Sequence, residues 1–68
     1  MLGWLKRRRE TRRLVQVAAE SLLRDYGADD ARLVARVRAR NARDRQRAAH
    51  WRRVARAVAR MTGKIVDY

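Results

Sequence analysis

Guanidinium groups are the chemistry this sequence offers: of nineteen basic residues all but Lys6 and Lys64 are arginine, against seven acids. Arg32, Arg36, Arg40, Arg43 and Arg47 step by four, four, three and four. Arg45, Arg52, Arg56 and Arg60 keep the same period with one wider gap. On a helix each set lines one face, with neighbours about 6 Å apart. A planar guanidinium donates two parallel N–H bonds to a phosphate or carboxylate, so such rows suit a repeated anionic lattice. Like charges at this spacing also repel and destabilise an isolated helix. A negatively charged partner would relieve that cost. The plainer reading of any charge run is a solvated face, and arginine in place of lysine, beside abundant alanine and valine, is also what GC-rich codon usage produces.

Catalysis has little to draw on. The chain holds one histidine, one serine, two threonines and no cysteine. Gln46, Arg47, Arg53 and Val54 surround His50 at helical spacing, so no carboxylate is placed to orient its ring as a base. A zinc site needs three or four ligands, which one histidine does not supply. Glycine-rich phosphate loops and nucleophile motifs are absent. The expectation is a non-enzymatic binding protein without metal, cofactor or small-molecule substrate.

The net charge of +12, with a pI near 11.9, attracts polyanions. Its distribution says more than its total. Residues 6–13 carry six basic groups and one acid; residues 14–35 are net −2; residues 36–60 hold ten arginines against Asp44 alone. The candidate polyanion-binding set is therefore Arg36, Arg40, Arg43, Arg47, Arg52, Arg53, Arg56 and Arg60, with Lys6, Arg7, Arg8 and Arg9 as a second patch. No base-reading set or helix-turn-helix spacing accompanies it, so the leading expectation is sequence-independent nucleic-acid binding. One alternative is an accessory subunit docked on an acidic protein surface, which would complete a domain of marginal stability. Another is a peripheral membrane protein, with Leu2, Trp4 and Leu5 at the interface and residues 6–9 on anionic headgroups, so that residues 1–9 form the anchor. We expect Trp4 and Leu5 to extend a sparse core instead.

The elements that must position these groups read as all-α. The chain has no proline, three glycines and no alternating β-branched pattern, and alanine and arginine are good helix formers. A first helix is expected at about 10–26, where Val15, Ala18, Ala19, Leu22, Leu23 and Tyr26 share a face and Glu20 can pair with Arg24. Gly27 then suits a left-handed C′ position. A second helix at 29–41 starts at Asp29 and Asp30, with a thin apolar face of Ala31, Leu33, Val34 and Val37. A third, at 44–62, carries Ala48, Trp51, Val54, Ala55, Val58 and Met61, with Arg47 able to lie over the Trp51 ring. Gly63 terminates it and 64–68 forms a loose tail.

The joint at 41–44 lacks glycine and proline. One long helix there would seat Asn41 and Asp44 in the seam Val34, Val37, Asn41, Asp44, Ala48, Trp51, Ala55, Val58, two successive polar positions in a buried stripe. A break is favoured instead, with Asn41 left-handed and Asp44 as N-cap. The leading architecture is a compact three-helix bundle forming one small domain; a long helical hairpin that dimerises is the alternative.

Three stretches, Asp25-Tyr26-Gly27, His50-Trp51-Arg52-Arg53-Val54-Ala55 and Ala59-Arg60-Met61-Thr62-Gly63, follow an apolar-then-basic start. Together they resemble a group of short basic bacterial proteins of unknown function. The segment after Gly27 is more charged than that pattern and the ending 65–68 is shorter. The resemblance implies no activity, cofactor or site.

Size sets the remaining bounds. A chain of 68 residues is one domain at most, and such a domain buries only about 60% of its unfolded surface. Nothing approaches the roughly 18 apolar residues of a membrane-spanning helix. The start Met1–Leu5 is too short for a signal-peptide core, so a cytoplasmic location is expected.

Overall fold

The computed structural model describes residues 2–63, without the side chains of residues 2 and 4–6. Two helices make up the fold, α1 (Leu2–Asn41) and α2 (Arg45–Thr62), packed as a helical hairpin. The three-helix bundle expected from sequence is thus corrected, and the hairpin is the arrangement that fits. The break favoured at 41–44 is where the chain reverses, at 42–44, so residues 29–62 do not form a single rod.

The region around Gly27 shows why two elements form where three were expected. Gly27 alone leaves helical geometry, at φ 82° and ψ 173°, while its neighbours on both sides remain helical. Residues 28–30, expected to open and cap a second helix, are already inside α1. One glycine bends the element without inserting a linker. A straight helix of 40 residues would run about 60 Å at 1.5 Å per residue, yet the longest dimension of the molecule is 39 Å. The bend therefore divides α1 into an N-terminal limb (2–26) and a C-terminal limb (28–41). The start of α1 at Leu2 places the whole basic run 6–13 on the first limb.

The turn is built as its residues suggest at one end only. Asp44 is extended (φ −134°, ψ 165°) and its Oδ1 accepts from the Arg47 backbone N–H at 2.8 Å, satisfying a free amide in the first turn of α2. Asn41 does not take a left-handed conformation; among the described residues positive φ occurs only at Gly27 and Gly63. The helix closes instead with Ala42 N–H on the Ala39 carbonyl, a tightened last turn. At the far end Gly63 is left-handed (φ 69°, ψ 12°) and its N–H reaches the Arg60 carbonyl, as expected for a C′ glycine. The loose tail expected at 64–68 lies outside the described residues.

Asp44→Ala is expected to cost about 1 kcal/mol through loss of this cap, lowering Tm by roughly 4–8 °C in a domain of this size. Asp44→Asn keeps an acceptor and should recover most of it. Equal losses in both variants would assign the effect to the exposed Arg47–Asp44 ion pair (3.5 Å) instead.

The core lies between the two limbs of α1 and one face of α2. It consists of Val15, Ala19 and Leu22 from the first limb, Ala31 and Ala35 from the second, and Val54, Ala55, Ala57 and Val58 from α2. Ala18, Leu23, Val34 and Trp51 pack at its edge. Alanine dominates, so the helices meet with little side chain between them. Tyr26, Leu33, Val37 and Met61, all expected inside, are exposed. For the second limb the reason is rotation about its axis. Ala31 and Ala35 are one turn apart on one face, and Leu33 and Val37 share the opposite one; the limb turns its alanines inward. The expected fold-back of Trp4 and Leu5 concerns side chains outside the described residues.

Candidate polyanion interface

Six arginines of α1 and α2 line one open cleft of about 710 Å³. Arg7, Arg8, Thr11, Arg12, Val15 and Gln16 form one wall, and Arg53, Arg56, Ala57 and Arg60 form the other. Each wall is a single helix face, since the residues recur at spacings of three and four. Val15 and Ala57 are core residues, so the floor is apolar and fixed by packing. Six guanidinium-bearing side chains surround that floor, and among the described residues no carboxylate lines it.

The uncharged polar groups in the cleft are already committed to their own helix. Thr11 Oγ1 donates to the Arg7 carbonyl at 2.8 Å, and Gln16 Nε2 donates to Glu20 Oε1 at 3.1 Å. Glu20 thus engages Gln16, where sequence had suggested Arg24. The charged donors presented to a ligand are guanidinium N–H groups, beside the second N–H of Gln16. Two unit charges 6 Å apart repel by about 0.7 kcal/mol in water, and six charges around one cleft multiply that term. A bound anion reverses its sign.

The structure brings together part of the set expected from sequence. Arg7, Arg8, Arg53, Arg56 and Arg60 line the cleft. Arg36, Arg40, Arg43, Arg47 and Arg52 are exposed elsewhere, as is Arg9; the side chain of Lys6 is outside the described residues. The row from Arg32 to Arg47 does not form one face, because helicity stops at 42–44 between Arg40 and Arg47. Arg43 sits in the turn, and Arg47 leans on Asp44. Arg12, in the basic run 6–13 but not among the four residues named for the second patch, lines the cleft as well. Its signal was present: Arg8 and Arg12 are one turn apart, as are Arg56 and Arg60, but only tertiary packing brings the two pairs to one cleft.

Trp51 and His50 form a separate cluster. The Arg38 guanidinium carbon lies 4.8 Å from the Trp51 ring centroid, a cation–π contact between the two helices. Arg47, proposed for this place from sequence, is not the residue that fills it. The His50 ring packs edge-on against Trp51, centroids 5.0 Å apart at 70°, and both residues are half-buried. This is packing geometry. No group of three or more His, Cys, Asp or Glu side chains is placed to hold a metal ion among the described residues, and no helix there is long and apolar enough to cross a membrane. Comparison with family models, curated proteins and solved structures finds no match for this chain.

Proposed function

We propose that this protein binds nucleic acid without sequence preference, through arginine contacts to phosphates, and performs no catalysis of its own. The observation that carries the reading is the convergence of Arg7, Arg8 and Arg12 with Arg53, Arg56 and Arg60 on one cleft, from segments about forty residues apart. Electrostatic contact with phosphates releases condensed counterions, so affinity depends steeply on salt. Guanidiniums on both walls, with no aromatic side chain among the described residues there, favour backbone over base contacts. The proposal includes a cytoplasmic location, where such polyanions are abundant.

Titrating labelled strands of unrelated sequence should give affinities that agree within a few-fold. With about six phosphates engaged, log affinity should fall against log salt with a slope near −5. No measurable binding to duplex or single strands at ~50 mM salt would sink the proposal.

A second reading, docking on an acidic protein, draws on a different observation. Leu14, Val17, Leu33 and Val37 are exposed aliphatics on outward faces of α1, and a protein partner is what would cover them. Under that reading a stoichiometric protein remains bound after nuclease treatment and survives the salt that strips nucleic acid.

A further inference from the structure

We infer that the cleft seats a single strand of nucleic acid by its phosphate backbone, and that duplexes are held only by arginines outside it. This deepens the proposed function and rests on it. The first support is the shape of the walls. Both are α-helices, each 10–12 Å across with side chains, and they share the floor residues Val15 and Ala57. To seat one strand of a B-form duplex between them, one wall would enter the major groove and the other the minor groove. The major groove, about 12 Å wide, admits a helix, whereas the minor groove is about 6 Å wide and does not. An unpaired strand has no second strand to exclude either wall.

The second support is chemical. Single-strand binders commonly add aromatic platforms on which bases stack. Among the described residues no aromatic side chain lines the cleft, the Thr11 hydroxyl is engaged within α1, and one Gln16 N–H is held by Glu20. The charged groups of both walls are guanidiniums, whose fork matches phosphate oxygens and is indifferent to base identity. The recognised chemistry is an unbranched chain of phosphates. Inorganic polyphosphate carries the same chemistry without sugar or base, so it should compete for the cleft.

The exposed arginines of the turn supply an internal control. Arg45 and Arg60 are separated by about 22 Å along α2 at 1.5 Å per residue, so the two basic ends of the helix are distinct surfaces. A cleft variant carries Arg12→Gln, Arg53→Gln, Arg56→Gln and Arg60→Gln. A turn variant carries Arg36→Gln, Arg40→Gln, Arg43→Gln and Arg45→Gln. Both lose four positive charges, so a general field effect weakens them equally.

The probes are an oligothymidylate of about 16 nucleotides, a mixed-sequence duplex of equal length and inorganic polyphosphate, each with the full chain at ~50 mM salt and above. The cleft variant should lose at least tenfold in single-strand affinity, and its salt slope should shrink by about 3, four contacts at roughly 0.7 each. The turn variant should keep single-strand affinity within about threefold and show the larger loss for duplex. Polyphosphate should displace the oligothymidylate from the wild type.

Equal losses for both ligands in both variants would overturn the cleft assignment while leaving sequence-independent binding in place. Failure of polyphosphate to compete would overturn backbone recognition. Absence of binding to every strand would overturn this inference and the proposed function together. Circular dichroism checks folding; if the cleft variant does not fold, Arg56→Gln and Arg60→Gln singly should each lower the single-strand slope by about 0.7.

Discussion

Replacing Leu22 with alanine is expected to cost about 2–5 kcal/mol, whereas Leu33→Ala should change stability by no more than about 0.5 kcal/mol. The two leucines are alike in sequence, each on an apolar face of a helical segment. Leu22 is 3% exposed and packs in the core, while Leu33 is 60% exposed. Truncating the first removes buried methyl groups and leaves a void in a core otherwise made only of small side chains, alanine and valine. Truncating the second removes contacts with water. The total stability of a domain this size is about 3–10 kcal/mol at 0.05–0.15 kcal/mol per residue, so Leu22→Ala should unfold a measurable fraction of molecules at 37 °C. Urea or thermal denaturation of both variants decides the matter. A larger loss from Leu33→Ala than from Leu22→Ala would mean that the second limb of α1 turns its other face inward.

A second large effect is expected at Gly27. Its φ of 82° with ψ near 173° lies in a region essentially reserved for glycine. Nothing lies within 4 Å of where a Cβ would stand, so Gly27→Ala introduces no collision. Its cost is conformational alone, about 1–3 kcal/mol, or a fall in Tm of roughly 4–8 °C per kcal/mol. The alternative open to the variant is to straighten α1, which would pull Ala31 and Ala35 away from α2. Gly3→Ala is the control: Gly3 is helical, has equally open surroundings, and should be neutral or stabilising by up to about 1 kcal/mol. If the two alanines behave alike, the bend does not depend on the Gly27 backbone.

Both effects bear on the cleft. The wall from α1 and the wall from α2 face each other because the first limb crosses α2 at Val15, Ala19 and Leu22. A variant that straightens α1 or empties the core moves Arg7, Arg8 and Arg12 relative to Arg53, Arg56 and Arg60. Single-strand affinity should then fall along with stability, even though no arginine has been changed. Exposed arginines retain their charge in such variants, so duplex binding should be the less affected activity.

Local chemistry made several features legible in the sequence. Helical class follows from the absence of proline and the excess of alanine and arginine. The cap at Asp44 and the terminator at Gly63 depend on the few residues around them, and the structure has both. The basic character of the surface is set by composition, whatever the fold. Gly27 was recognised as a special position, but a turn glycine and a bend glycine carry the same signature, and the length of the interruption depends on what the flanking limbs pack against.

Tertiary packing alone decided the rest. Ala31 and Ala35 are buried while Leu33 and Val37 are exposed, because small side chains allow the closest approach of limb and helix, and the helical period offers either face. Arg38 lies over Trp51, where sequence could propose only a neighbour on the same helix such as Arg47. The cleft is the clearest case. Spacing along one helix determines which arginines share a face, but it carries no information about which faces of two distant helices meet. That choice belongs to the shared core beneath them, and it placed Arg12 and Arg56 on the same cleft.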